Sequence, residues 1–229
     1  MSHIQFPTLP ASMLDPLGAL ARPTLAQQAA DAIVEAIAAN AIQPGERLTD
    51  TGIAQRLGVS RNPVREAMKI LEAQGIIVSN PHRSVHVVAF DHGKIEQIAR
   101  VRVAIEKIAF AEATAAYSSN PALLTELDQI IQQMEKQARL DDLNGVTKAD
   151  LAFHRAVCTA SRNQIVLTLW ETIARHMRIS FNLEIHQETA RPKEVPEHHR
   201  RLRDVLATGV VGDVEEEIES HILRLQRSS

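Results

Sequence analysis

From Asp91 to its end the chain repeats apolar residues at helical spacing and offers no alternating stretch that would make a strand. That single regularity covers well over half of the 229 residues, so most of the molecule must be helices packed on helices. The stretches 91–117, 121–139, 143–160, 163–187, 194–208 and 212–227 read as helices. They are interrupted at Asn120-Pro121, Arg162-Asn163, Pro192 to Pro196 and Gly209 to Gly212. Connections this short favour antiparallel neighbours in a bundle. An aromatic content of 3%, beside abundant Ala, Leu and Ile, points the same way.

The part before Asp91 is organised differently. Residues 1–22, with Pro7, Pro10 and Pro16 and no periodicity, read as a flexible arm. Thr24 and Gln27 form a capping box for a helix that carries Leu25, Ala29, Ile33 and Ile37 and ends before Pro44-Gly45. A short helix from Asp50 to Leu57 buries Ile53, Ala54 and Leu57. Gly58-Val59-Ser60 then turns the chain into a third helix, Arg61 to Ala73. Ile76 and Val78, then Val85 and Val87, alternate on either side of a turn at Asn80 to Arg83. Residues 23–90 are thus expected to be a winged helix-turn-helix with a small β-hairpin. Residues 91–229 are expected to be an all-α antiparallel bundle.

Function is most legible on the third helix. Val64, Ala67, Met68 and Leu71 form its apolar stripe, and Ser60 is placed to cap it. Arg61, Arg65 and Lys69 recur every four residues on another face, with Asn62 beside them. Arginine pairs bidentately with guanine and asparagine with adenine, and the amides of a helix N-terminus favour a phosphate. His82 and Arg83 stand at the hairpin tip, where they would lie along the adjacent DNA backbone or minor groove. A solvated basic face is the plainer explanation of such a charge run; the helix before it, the tight turn and the hairpin after it favour DNA. Charge agrees locally: residues 47–90 hold six basic against three acidic side chains, in a chain whose net charge is −3.

The run Leu57-Gly58-Val59-Ser60-Arg61-Asn62-Pro63-Val64-Arg65-Glu66-Ala67, followed by Leu71-Glu72-Ala73-Gln74-Gly75-Ile76-Ile77, resembles the winged helix-turn-helix of the GntR family of bacterial transcription regulators. The resemblance covers about residues 24–90 and implies base or phosphate contacts from Ser60, Arg61, Asn62, Arg65 and the wing tip. The chain departs from the family pattern at Thr51, where many members place an arginine, and at Ser84, where many place a glycine.

In the helical part, Asp150 and His154 stand one turn apart, so both can point at one spot. Leu151, His154, Val157 and Cys158 share a face that directs this spot inward. His221 sits on the stripe Val214, Ile218, Leu225, while His198 and His199 precede Leu202, Val205 and Leu206. Periodicity does not separate His198 from His199, and the stripe leans slightly toward His198. One carboxylate and up to three imidazoles inside a bundle suit Zn²⁺, Ni²⁺ or Mn²⁺. Taken singly, each histidine is better explained as a core residue bonded to a neighbour.

Asp150-Leu151-Ala152-Phe153-His154, His199-Arg200-Arg201-Leu202 and His221 also resemble the effector domain, called FCD, of the FadR subfamily of GntR regulators. That resemblance spans about residues 91–227. It implies a divalent ion held by Asp150, His154, His199 and His221, and an effector-binding arginine in the first sensor helix, which Arg102 matches. Arg102 also has an i+4 partner in Glu106, and Arg175 and His176 are further candidates for the cavity wall. Six sensor helices rather than seven would place the chain nearer the VanR-like branch.

The expected function is therefore a homodimeric repressor on a pseudo-palindromic operator in double-stranded DNA, controlled by a small carboxylate metabolite. A metalloenzyme is the competing class. It lacks a persuasive general base, because Glu106 and Glu171 read as surface or pairing residues, and it leaves the basic helix unexplained. A DNA-binding protein with a purely structural metal is the third. The lone Cys158 excludes an internal disulfide, and no apolar run is long enough for a membrane span. A cytoplasmic protein is expected.

Overall fold

The computed structural model describes residues 23–80, 84–185 and 193–227. The arm 1–22 and the wing-tip residues His82 and Arg83 lie outside the described residues.

Helix α1 (Leu25–Ala38) opens on Thr24, whose side chain accepts from the Gln27 amide while Gln27 reaches back to the Thr24 amide. Strand β1 (Arg47–Leu48) leads into α2 (Asp50–Leu57), capped by Thr49. Gly58 ends α2 at φ 66°, ψ 29°, a left-handed conformation that makes the sharp turn possible. Helix α3 (Arg61–Ala73) follows, fixed by Val64, Ala67 and Leu71, all fully buried. Met68 and Leu57, expected inside, are only partly covered. Strands β2 (Ile77–Ser79) and β3 (Val85–Val87) complete a three-stranded antiparallel sheet of order β1-β3-β2. The expected hairpin is present, with one strand more than the sequence shows. Ser60 stands at the N-cap position of α3, but its hydroxyl makes no capping bond, contrary to expectation. Its side chain is exposed instead.

The remaining helices are α4 (His92–Ser119), α5 (Pro121–Arg139), α6 (Leu143–Ala160), α7 (Gln164–Ile185), α8 (Val195–Thr208) and α9 (Val211–Arg227). Helix α4 is the central one and packs on α9, α7, α6 and α8. A continuous apolar core runs from Ile33 and Leu71 in the N-terminal part to Phe110, Trp170 and Ile218 in the bundle. Helix α7 joins the two parts by lying against α1. Arg178 holds Glu35 through two bonds of 2.6 and 2.8 Å, and Arg175 reaches Asp31 at 2.9 Å and Gln74 at 3.3 Å. Among the described residues no helix is long and apolar enough to cross a membrane.

Candidate functional site

The first candidate surface is the outer face of α3. Ser60, Arg61, Asn62, Arg65 and Lys69 are all exposed there, backed by the buried stripe of the same helix. Their roles differ. The Arg61 guanidinium bends back to Asp50 at the start of α2, donating from Nη2 at 2.8 Å and from Nε at 3.2 Å. This pair ties α2 to α3, and Arg61 would have to exchange it to meet DNA. Lys69 is paired with Glu66 at 2.8 Å. Arg65 points outward with no ion pair to another described residue, which leaves its five donors for a ligand.

The second candidate is a buried cluster at the centre of the bundle. Helix α6 contributes Asp150 and His154, α8 contributes His199 and α9 contributes His221. One ligand atom from each lies within 4.8 Å of the others, and all four residues are buried. The three imidazole centroids are 4.7 to 5.3 Å apart. Of the two adjacent histidines that spacing left undecided, His199 enters the cluster and is fully buried, while His198 is half-buried beside it.

Hydrogen bonding fixes how these rings present their nitrogens. His199 Nδ1 lies 2.8 Å from the Val195 carbonyl, which only accepts, so the proton of a neutral ring sits there. Its Nε2 then turns a lone pair toward Asp150 Oδ1, 3.1 Å away. His154 Nδ1 lies 2.7 Å from Glu106 Oε2 without a hydrogen bond, and the carboxylate's charge favours the proton on Nδ1. Among the described residues, both nitrogens of His154 and of His221 and the Nε2 of His199 have no hydrogen-bond partner. Lone pairs gathered in a dry interior repel and cost free energy unless a cation or proton lies between them. Three imidazoles and a carboxylate in this arrangement fit a divalent ion.

Two helices support the cluster. On α4, Glu106 is fully buried; of its two expected roles, helix surface or pairing, it takes the second. Its Oε1 accepts from Arg102 Nε at 2.9 Å and from Trp170 Nε1 of α7 at 2.8 Å. Burial alone would raise the Glu106 carboxyl; Arg102 and His154 outweigh that and hold it at about 2. Burial would raise the Asp150 carboxyl; the surrounding cluster, with the Arg102 charge beside it, holds it well below the usual range. Arg102 is 2% exposed, its Nη2 is 3.8 Å from Asp150 Oδ2 without a hydrogen bond, and the Phe181 ring lies 5.3 Å away. The arginine thus keeps one donor edge unused beside the cluster. Glu171 behaves as expected, pairing with Arg155 at 2.6 Å.

Arg175 and His176 do not line this cavity. Trp170 faces α4, and five or six residues further along an α-helix the side chains point elsewhere. Arg175 and His176 meet the N-terminal part instead, through Asp31 and Gln74 and, for the imidazole, through the Phe90 ring at 6.2 Å.

The cluster sets a pH dependence for the metal-free protein. Burial pushes His154 and His221 below their ordinary value of 6.5, so unfolding takes up protons below that pH. Glu106, lowered from 4.5 to about 2, adds stability above pH 4.5 that is lost as pH falls toward 2. Both shifts act in one direction. Urea midpoints measured between pH 7.5 and 4 should fall steadily, and a flat profile would contradict the neutral, unpaired imidazoles.

Comparison with known proteins identifies both parts of the chain. Residues 25–87 match the family model of bacterial regulatory proteins, gntR family, and residues 97–224 match that of the FCD domain. A probable D-xylose utilization operon transcriptional repressor of Paenarthrobacter nicotinovorans is 28% identical, over 89% of this chain and 88% of its own length. The gluconate operon transcriptional repressor of Bacillus subtilis is 29% identical, over 73% of this chain and 67% of its own. Among solved structures, McbR/YncC of E. coli superimposes with a TM-score of 0.76 at 21% identity, over 89% of this chain and 95% of that one.

Proposed function

Because the chain belongs to the GntR family of bacterial transcription regulators and carries an FCD domain, we propose that it is a metal-dependent repressor released or recruited by a small carboxylate metabolite. The observation that carries this reading is the dry cluster of Asp150, His154, His199 and His221 with unpartnered nitrogens, next to an arginine with a spare donor edge. These four residues would hold Zn²⁺, Ni²⁺ or Mn²⁺, and the ion would supply positive charge and vacant coordination positions to an anionic effector. Arg102 would bind and orient the carboxylate, and the apolar walls from Phe110 and Phe153 would exclude water. The six sensor helices among the described residues favour the VanR-like branch of the FadR subfamily.

DNA recognition falls to Ser60, Arg61, Asn62 and Arg65 on α3, with His82 and Arg83 at the wing. The regulator acts in the cytoplasm as a homodimer, presenting two copies of α3 to the two halves of a pseudo-palindromic operator. Repression is supported by the two curated relatives, both named as operon repressors. The family is one of transcription regulators, not enzymes. The site chemistry agrees, since Glu106 is engaged by Arg102 and Trp170 and is not free as a general base.

The reading is tested by loading the protein with each of the three ions and titrating carboxylic acids by calorimetry, with operator binding measured alongside. An acid that binds the loaded protein, fails to bind Arg102→Met and changes operator affinity supports it. An effector without an anionic group overturns it. On α3, Arg65→Ala is expected to weaken operator binding by about 1–3 kcal/mol and relax preference at one base pair. Arg61→Ala should weaken all sequences alike and lower the salt slope by about one. Unchanged binding by both variants would remove α3 as the reading helix.

A further inference from the structure

The interior around Asp150, His154, His199 and His221 holds charged groups and apolar walls, with almost nothing between the two kinds. Arg102 brings one positive charge, and the Asp150 and Glu106 carboxylates bring two negative ones. Imidazoles bind a metal ion in their neutral form, so the three histidines leave that count unchanged. The interior therefore stands at −1 without a metal ion and at +1 with a divalent one. Arg178, the other buried arginine among the described residues, is spent on Glu35 in the N-terminal part. A net charge left in a dry interior is costly, so an occupant with a single negative charge balances the loaded site.

Neutral donors and acceptors are in short supply. The buried hydroxyls of Thr114, Thr147 and Ser180 each donate to a carbonyl of their own helix, Phe110 at 2.7 Å, Leu143 at 3.0 Å and Met177 at 3.2 Å. Tyr117 stands about 20 Å along α4 from Arg102. The Trp170 indole is taken by Glu106, and no asparagine or glutamine is fully buried among the described residues. Backbone groups in the middle of helices are already bonded within them. What surrounds the cluster instead is aromatic. The Phe110 and Phe153 rings lie 5.7 and 5.6 Å from that of His154, and Phe181 lies 5.3 Å from the Arg102 guanidinium.

We infer that the effector is a monocarboxylate with an apolar body, and that the site rejects dicarboxylates and polyhydroxylated sugar acids. The inference rests on the acid-sensing reading above and narrows it to one class of acid. Charge and hydrogen bonding select this class independently. A second carboxylate would return the loaded interior to −1 and face Asp150 and Glu106 with one arginine already engaged. Each hydroxyl of a sugar acid would give up its bonds to water and meet phenyl rings in exchange. A single carboxylate on Arg102 Nη2, a buried donor without a hydrogen bond, leaves neither debt.

The test is calorimetry on the full-length protein, loaded with Zn²⁺ and metal-free, with acids matched in carbon skeleton. Butyrate is set against succinate, hexanoate against adipate and gluconate, and benzoate against phthalate. In every set where an acid binds the loaded protein, the apolar monocarboxylate should bind at least tenfold tighter than its counterparts. The metal-free protein, with its interior at −1, should bind none of the seven. A dicarboxylate or gluconate within tenfold of its partner overturns the inference and leaves acid sensing standing. Binding of any of these acids to the metal-free protein overturns the charge argument on which the inference stands. Loaded protein that binds none of them overturns the acid-sensing reading and this inference with it. Protein that takes up no Zn²⁺ removes the ion's share of the charge and overturns both.

Discussion

Glu106→Ala is expected to be the most damaging single substitution in the sensor, removing about 3–5 kcal/mol of folding stability. The carboxylate is fully buried and serves three neighbours at once: the Arg102 guanidinium, the Trp170 indole and the His154 ring. Removing it strands a buried cation, which costs more than the lost contacts. Glu106→Gln keeps an acceptor for Trp170 but not the charge, so its loss should come close to that of alanine. Removing both charges with Arg102→Met and Glu106→Leu together should recover part of the deficit. Urea unfolding of the metal-free variants measures all three. A Glu106→Gln variant as stable as the parent would mean that the carboxylate is protonated, against its expected low pKa.

The second large effect is thermal. Metal present at 100 to 1,000 times its dissociation constant should stabilise the native state by about 2.7–4.1 kcal/mol. For a chain of this size that corresponds to a rise in Tm of roughly 5–15 °C. A chelator should reverse it, and His221→Ala should abolish the difference, since both ring nitrogens of His221 lack any other partner. Comparing Zn²⁺, Ni²⁺ and Mn²⁺ in one series ranks the ions for this donor set. Identical melting with and without all three would refute the cluster as a metal site and leave its unpaired nitrogens to be explained by protonation.

Helix boundaries were the most legible part of the chain, because proline, glycine and asparagine punctuate a strong 3.6-residue rhythm. The stretches 121–139 and 143–160 coincide with α5 and α6, and 163–187 begins one residue before α7, its last two positions lying outside the described residues. Strand β1 was hidden. Two residues carry no period, and Arg47–Leu48 is a strand only because β3 pairs with it. In the cluster, Asp150 and His154 follow from their spacing alone, whereas choosing His199 over His198 depends on how α8 is rotated against α9. For Glu106 the pairing with Arg102 was legible and its burial was not, for a related reason. An Arg–Glu pair four residues apart is ordinary on an exposed helix, and only the packing around α4 shows that this helix is covered on several sides. The signal was present in its neighbours, since Ile98, Ala99, Ala109 and Phe110 leave little room for a hydrated pair.

Helix α7 is unbroken from Gln164 to Ile185, and the same rod carries Trp170 at the cluster and Arg178 on α1. Those residues are eight positions apart, about 12 Å along the axis, so a tilt of a few degrees at one displaces the other by about 1 Å. That distance is enough to stretch a 2.6 Å contact past its useful range. Under the proposed function, ligand chemistry and the angle of the reading head would be two ends of one seesaw, and an insertion of even a single residue between them would swing Arg178 about 100° off its target.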